Sequence, residues 1–288
     1  MSAKINALAH WSRAPKDEVP RALDAVVAVR PAVAIDFRGI KHSFLQEDKV
    51  VDVLSDINIS VSPGEFVGIV GPSGCGKTTL LGLAAGMVRP REGAVLFDGS
   101  NLSTPSGEVA YMLARDALLP WRTAIQNVEL ALEVRGVPKA ERLERSREWL
   151  ERVGLAQEAH VSVRRLSHGM RQRVAIARTL AQKPRCVLMD EPFAALDAQT
   201  RIRLQKEFLG VWERDRPTVL FVTHDLAEAI LLCDRVLLMS RRPGRIVEDM
   251  QIPLPRPRDP ERDRSDSAFL GAHESLWENL RKEFGVDL

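Results

Sequence analysis

The plainest chemistry in this chain lies in nine consecutive residues: Gly71, Pro72, Ser73, Gly74, Cys75, Gly76, Lys77, Thr78 and Thr79. Their spacing matches G-x-x-x-x-G-K-[ST], a loop built to cradle phosphate. Gly71, Gly74 and Gly76 let the backbone curl until successive N–H groups point at phosphate oxygens. The helix that should follow adds the positive end of its dipole. Lys77 can reach the β- and γ-phosphates as a point charge, and the Thr78 hydroxyl can ligate Mg²⁺. Each charge-assisted bond of this kind contributes roughly 1.5–3 kcal/mol, so several together hold a nucleoside triphosphate. The loop does not say which class of enzyme uses it. Three more places set reactive residue types at the edge of apolar runs: Asp190-Glu191, His224 and Ser167. Taken singly, the acidic pair reads as a solvated turn, the histidine as structural, and the serine as a plain helix N-cap.

These residues need elements to hold them. EFVGIVG is a continuous apolar run suited to a central strand buried on both faces, and a helix should follow from Gly76 to about Met87. AVAIDFRGI and VLSDINISV alternate as half-buried antiparallel strands do, and REGAVLFDGS reads as a hairpin strand ended by Asp98-Gly99. Between Pro120 and Lys183 the pattern turns helical. Pro138 opens one helix that Gly154 closes; a second, MRQRVAIARTLAQ, turns Val174, Ile176, Ala177 and Leu180 to a core. RCVLMD and TVLFVTHD return as strands around the helical RIRLQKEFLGVWERD, and that alternation argues for a parallel α/β core. PRPRDPERDRSDS reads as a polar linker, after which Phe269, Leu276, Trp277, Leu280 and Phe284 form an apolar stripe at helical spacing.

Composition narrows the class. With 45% hydrophobic and 28% charged residues in 288, the chain is an ordinary globular one, and a net charge of only +2 argues against nucleic acid as its main partner. Cys75, Cys186 and Cys233 are far apart with no C-x-x-C pair, which points to neither disulfides nor zinc and fits a reducing cytoplasm. The first residues lack a secretory apolar region, and no window approaches 18 apolar residues. Service to a membrane would require docking onto another chain.

Four further segments resemble the ATP-binding cassette (ABC) ATPases. In CVLMDEP, Asp190 is similar to the family's Walker B carboxylate, which holds Mg²⁺. Glu191 stands at the place of the general base that polarises the attacking water, and Asp197 in PFAALD matches the D-loop aspartate that contacts the opposite subunit. LSHGMRQRVAIARTL resembles the signature motif, usually LSGGQ or LSGGM; the resemblance implies that Ser167 and Gly169 face the γ-phosphate bound by another subunit. THD puts His224 at the switch histidine, and Phe44 falls where the family stacks an aromatic on adenine. Such stacking is worth about 1–3 kcal/mol. A core place in the antiparallel sheet is the other reading of Phe44.

The resemblance covers roughly residues 34 to 255. It implies an α/β P-loop NTPase fold: an ABC nucleotide-binding domain with a parallel α/β core, an antiparallel β subdomain, and a helical subdomain inserted at about 113–183. An N-terminal extension (1–33) and a linker with a C-terminal helix (256–288) flank it. ATP and Mg²⁺ are the implied cofactors. The implied partners are a second copy of the chain, integral membrane permease subunits and, indirectly, a periplasmic or extracellular substrate-binding protein. The implied location is peripheral, on the cytoplasmic side of the cell membrane.

Two positions depart from the family. Its glutamine seven residues before Trp121 is replaced by Ala114, which puts metal sensing by this loop in doubt unless Arg115 or Asp116 takes over. His168 occupies the first glycine position of the signature, where its imidazole either donates to the γ-phosphate or faces solvent. ALLPWRTAIQNV and SHGMRQR resemble importers of the nitrate, sulfonate and taurine group, whose LLPW junction receives a permease helix. Leu118, Leu119 and Trp121 would anchor it, or Trp121 packs the subdomain internally. The other classes weighed are a regulatory or weakly hydrolytic ABC-type ATPase and a soluble ABC ATPase outside transport.

Overall fold

The computed structural model describes residues 31–47, 49–102 and 106–284. The N-terminal extension read from the sequence lies almost wholly outside them. In chain order the elements are β1 (Ile35–Gln46), β2 (Lys49–Val61), β3 (Phe66–Val70), α1 (Lys77–Ala84), β4 (Glu92–Phe97), β5 (Ser100–Asn101) and β6 (Val109–Met112). The helices α2 (Ala124–Val134), α3 (Lys139–Arg152) and α4 (His168–Leu180) follow. Then come β7 (Cys186–Asp190), α5 (Ala198–Asp215), β8 (Thr218–Val222), α6 (Leu226–Leu232), β9 (Arg235–Met239), β10 (Ile246–Gln251) and α7 (Ser267–Phe284).

Among the described residues these strands form two sheets. One is antiparallel in the order β2-β1-β4-β5; the other has the order β10-β9-β3-β8-β7-β6, parallel from β9 to β6, with β10 antiparallel at its edge. Strict alternation explains the unbroken apolar strands. On β3, Phe66 and Val70 enter one core while Val67 and Ile69 enter the other; on β8, Val219 and Phe221 part from Leu220 and Val222 in the same way. The first core gathers α2 to α7, with Phe66 touching Phe208, Trp212 and Phe221 at ring distances of 5.5–5.9 Å. The second core is closed by α1 and the antiparallel sheet.

The helices start where their first residues dictate. Thr123 and Gln126 form a capping box on α2, and Ser167, Asp197 and Asp225 each cap a helix through a side-chain oxygen. The stretch read as a polar linker is instead anchored. Arg258, 7% exposed, donates to the carbonyls of Ile230, Cys233 and Leu254; Arg256 donates to Leu232 O and Asp234 and lies 4.3 Å from the Trp212 ring centroid. These carbonyls include the last ones of α6, which lack partners inside the helix, so the guanidinium groups supply the missing donors. Burial pushes the Arg258 pKa down to about 10, with Arg256 adding to the shift. Beyond the arm, Phe269, Ala272 and Leu276 of α7 are buried, Leu280 packs partly against the same core, and Trp277 stays 38% exposed. No helix among the described residues is long and apolar enough to cross a membrane.

Candidate active site

The phosphate loop links β3 to α1, where the sequence requires it. Gly76 adopts φ +110°, and a Cβ there would meet Leu54 Cδ2 at 2.7 Å, so the loop and β2 close on one another only with glycine. Lys77 is nearly buried and its Nζ donates to Gly71 O at 2.7 Å and Pro72 O at 2.8 Å, which holds the ammonium over the loop. Beside it is an open cleft of about 600 Å³, lined by Phe44, Ser73, Gly74, Gly76, Lys77, Thr78, Thr79, Asp190 and Glu191, together with Val53 and Arg242. Phe44 is 45% exposed and faces this cleft, which removes it from the core of the antiparallel sheet. Cys75 runs the other way: its thiol is buried with its pKa raised by that burial, and it is not among the residues lining the cleft.

Strand pairing brings the acidic pair to this cleft and sets the histidine beside Glu191, in a small neighbouring pocket. β7 and β8 lie side by side and both end at the loop's level. Asp190 closes β7, buried, and accepts a 2.7 Å hydrogen bond from Thr78 Oγ1. Burial raises the Asp190 pKa and the Glu191 charge adds to it, while the Thr78 hydroxyl and Lys77 oppose. Two hard oxygen donors next to a phosphate loop suit Mg²⁺, which keeps water and phosphate as its other ligands. Glu191 sits at φ +49°, a left-handed conformation that costs a residue with a β-carbon roughly 1–2 kcal/mol. Its N–H donates to Val222 O, and its Oε2 lies 3.2 Å from His224 Nδ1. His224 is exposed.

Ser167, Gly169 and Asp197 are not among the residues lining this cleft. Ser167 accepts from Met170 N–H at 3.2 Å and is exposed at the start of α4. Gly169 approaches Ala195 O, from which a Cβ would be 3.3 Å away. Asp197 is exposed at the start of α5, and the Thr200 N–H bonded to its carboxylate holds its pKa below the usual value.

Comparison with known proteins decides what this arrangement belongs to. The family model described as "ABC transporter" matches residues 54–194. An uncharacterised ABC transporter ATP-binding protein of Methanocaldococcus jannaschii is 47% identical over 88% of this chain and 94% of its own length. The chain belongs to the ABC transporter ATPase family. A taurine import ATP-binding protein of Pseudomonas entomophila is 46% identical over 69% of this chain and 77% of its own. A bicarbonate transport ATP-binding protein of Synechococcus elongatus is 41% identical over 82% of this chain and 86% of its own. An ATP-binding cassette solved as a dimer bound to ADP and Pi superposes with a TM-score of 0.70 at 29% identity, over 75% of this chain and 98% of that one.

The two departures from the ABC pattern can now be placed. His168 is the first residue of α4, needs no left-handed backbone, and is exposed with Nδ1 3.4 Å from Arg171 Nη2. Ala114 and Arg115 are exposed, and Asp116 is engaged elsewhere: its Oδ2 accepts from Arg171 Nε at 2.8 Å. Arg178 donates to the carbonyls of Asp116 and Ala117, both at 2.8 Å. The segment that carries a glutamine in other ABC ATPases is thus clipped to α4 by two arginines. Close by, buried Asn127 braces the LLPW turn through Leu119 N and O, while Leu118 is buried and Trp121 is 73% exposed. Trp121 therefore does not pack the subdomain internally.

Two functional candidates escaped the sequence reading. Glu228 is buried behind Glu191 and His224, accepts from Thr223 Oγ1 at 2.7 Å and Gln205 Nε2 at 3.2 Å, and has its pKa raised chiefly by burial. Its only sequence signal is that it lies three residues after the Asp225 cap, the capping-box place. Arg242 lines the cleft from a turn rich in arginine and had no motif to mark it.

Proposed function

We propose that this ABC ATPase binds ATP with Mg²⁺ and hydrolyses it between two copies of the chain, on the cytoplasmic face of a membrane, to drive an importer. Lys77 and the loop N–H groups hold the phosphates, Thr78 and Asp190 hold Mg²⁺, and Phe44 stacks on the base. A Mg²⁺ ion held by Thr78 and Asp190 would supply positive charge against the charge that develops on the phosphates. Ser167 and Gly169 of the second copy cover the γ-phosphate with a helix N-terminus, and Asp197 lies at that junction. Glu191 takes a proton from water as its oxygen bonds to the γ-phosphorus and the bond to the β–γ bridging oxygen breaks. His224 keeps the carboxylate and the γ-phosphate in register. A permease helix docks at exposed Trp121 beside Leu119, and a substrate-binding protein on the far side delivers the solute. The taurine and bicarbonate names of the relatives support a small solute of that kind, within the nitrate, sulfonate and taurine group that the sequence resembles.

The observation that carries this reading is Glu191, which lines the phosphate-loop cleft beside Asp190 and holds its Oε2 3.2 Å from His224 Nδ1. Glu191→Gln removes the base and keeps the shape. It should lower kcat by about 10²- to 10⁴-fold, keep ATP affinity, and accumulate an ATP-bound dimer visible by light scattering. Turnover at the wild-type rate would remove Glu191 from its role.

A further inference from the structure

The sheet order gives the phosphate loop two flanks. On one side of β3 lie β8 and β7, which end at His224, Asp190 and Glu191; on the other lies β9. The turn leaving β9 is built onto the loop. Gly244 packs so closely that a Cβ would stand 2.2 Å from Cys75 O, and it exchanges backbone hydrogen bonds with β2: Gly244 N–H to Val53 O at 2.8 Å, Ser55 N–H to Gly244 O at 3.0 Å. The Ser240 hydroxyl donates to the carbonyls of Arg241 and Pro243 and accepts from Arg245 N–H, so the turn is fixed from within. From it Arg242 reaches the cleft, its Nε donating to Gly74 O at 3.2 Å. The planar guanidinium keeps its other N–H groups beyond that bond.

We propose that Arg242 is a further nucleotide-binding residue, closing the cleft on the β9 flank and holding the ribose-linked phosphate of ATP and ADP alike. The assignment follows from position: Glu191 and His224 address the γ-phosphate from the β7–β8 flank, so a cation across the loop meets the other end of the triphosphate. It rests on the nucleotide-site reading above and adds a residue to it. Guanidinium suits the task because its fork bonds phosphate oxygens while one edge stays on the loop.

The test measures MgADP and MgATP affinity of the full chain by calorimetry at several salt concentrations, with steady-state ATPase in parallel. Arg242→Ala should weaken both nucleotides equally, by about tenfold, the loss of one charge-assisted bond at a partly exposed site. Steady-state ATPase should register the loss chiefly as a raised KM, and Arg242→Lys should recover only part of the affinity, because it keeps the charge and loses the fork. The salt dependence of ADP binding should be shallower in Arg242→Ala, because one charge contact to phosphate is gone. Unchanged affinity overturns the proposal. So does weaker binding with an unaltered salt dependence, which would mean that Arg242 only supports the loop through Gly74. If Lys77→Ala binds ADP as well as the wild type does, the cleft is not the nucleotide site, and the Arg242 assignment falls with it.

Discussion

The phosphate loop and the start of α4 both offer N–H groups at a helix N-terminus, yet they are built differently. The loop is cross-braced within one chain: Lys77 on its own carbonyls, Thr78 on Asp190, Gly244 against Cys75 O. The α4 start is exposed, and Ser167 does there what any N-cap serine does. The difference teaches that a helix N-terminus is made into a phosphate cradle by what surrounds it within the chain, and the α4 start, by itself, has only its N-cap. Gln172 adds the link between the two halves: buried in α4, it donates to Pro192 O at 3.0 Å, just past Glu191. A buried hydrogen bond thus ties α4 to the segment that follows Glu191.

Variants of the two halves should separate binding from turnover. Lys77→Ala should have the largest effect, weakening MgATP and MgADP by about a hundredfold or more in calorimetry, because a nearly buried charge is removed from the phosphates. Ser167→Arg should cut ATPase turnover by about tenfold or more while leaving the ADP affinity of the single chain unchanged; a matching loss of ADP affinity would erase the contrast between the halves. Asp116→Ala breaks the clip to Arg171 and should lower Tm by about 2–4 °C, the response to roughly 1 kcal/mol in a domain of this size. Its Mg²⁺ dependence should stay that of the wild type, since the carboxylate is bound to α4; a shifted Mg²⁺ requirement would restore Asp116 as a metal-loop substitute.

The smallest effect concerns pH. Glu228 has a folded pKa raised above the usual 4.5, so its protonated form favours the fold: that stabilisation is fully present below 4.5 and is lost as pH rises through the raised value. Glu228→Gln removes this titration. The fall in Tm between pH 4.5 and neutrality should shrink in the variant by about 2–4 °C, with thermal melts across that range as the check. Parallel Tm curves for the two proteins would show that Glu228 does not titrate there.

Much of the fold could be read in advance because its cause is local. A run such as EFVGIVG is apolar throughout since both sheet faces are covered, and GPSGCGKTT permits few alternative structures. Asp190, Glu191 and His224 could be matched to motifs, but their meeting depends on β7 and β8 being neighbours, a non-local fact. Arg256 and Arg258 were misread as solvated linker because charge in a Pro-rich run has that look, and only the bare carbonyls ending α6 reveal their use. Arg242 stayed hidden for a similar reason: its setting is made by β2 and the phosphate loop, far away in sequence.

The anchored arm has a consequence for how the protein is made. α6, which begins two residues after His224, has its final carbonyls served by guanidinium groups that a ribosome adds more than twenty residues later. A nascent chain halted just before Arg256 would carry the phosphate loop, Asp190, Glu191, His224 and Arg242, with the carbonyls that end α6 still unserved. Competence to turn over ATP should therefore arrive late in synthesis, after competence to bind it.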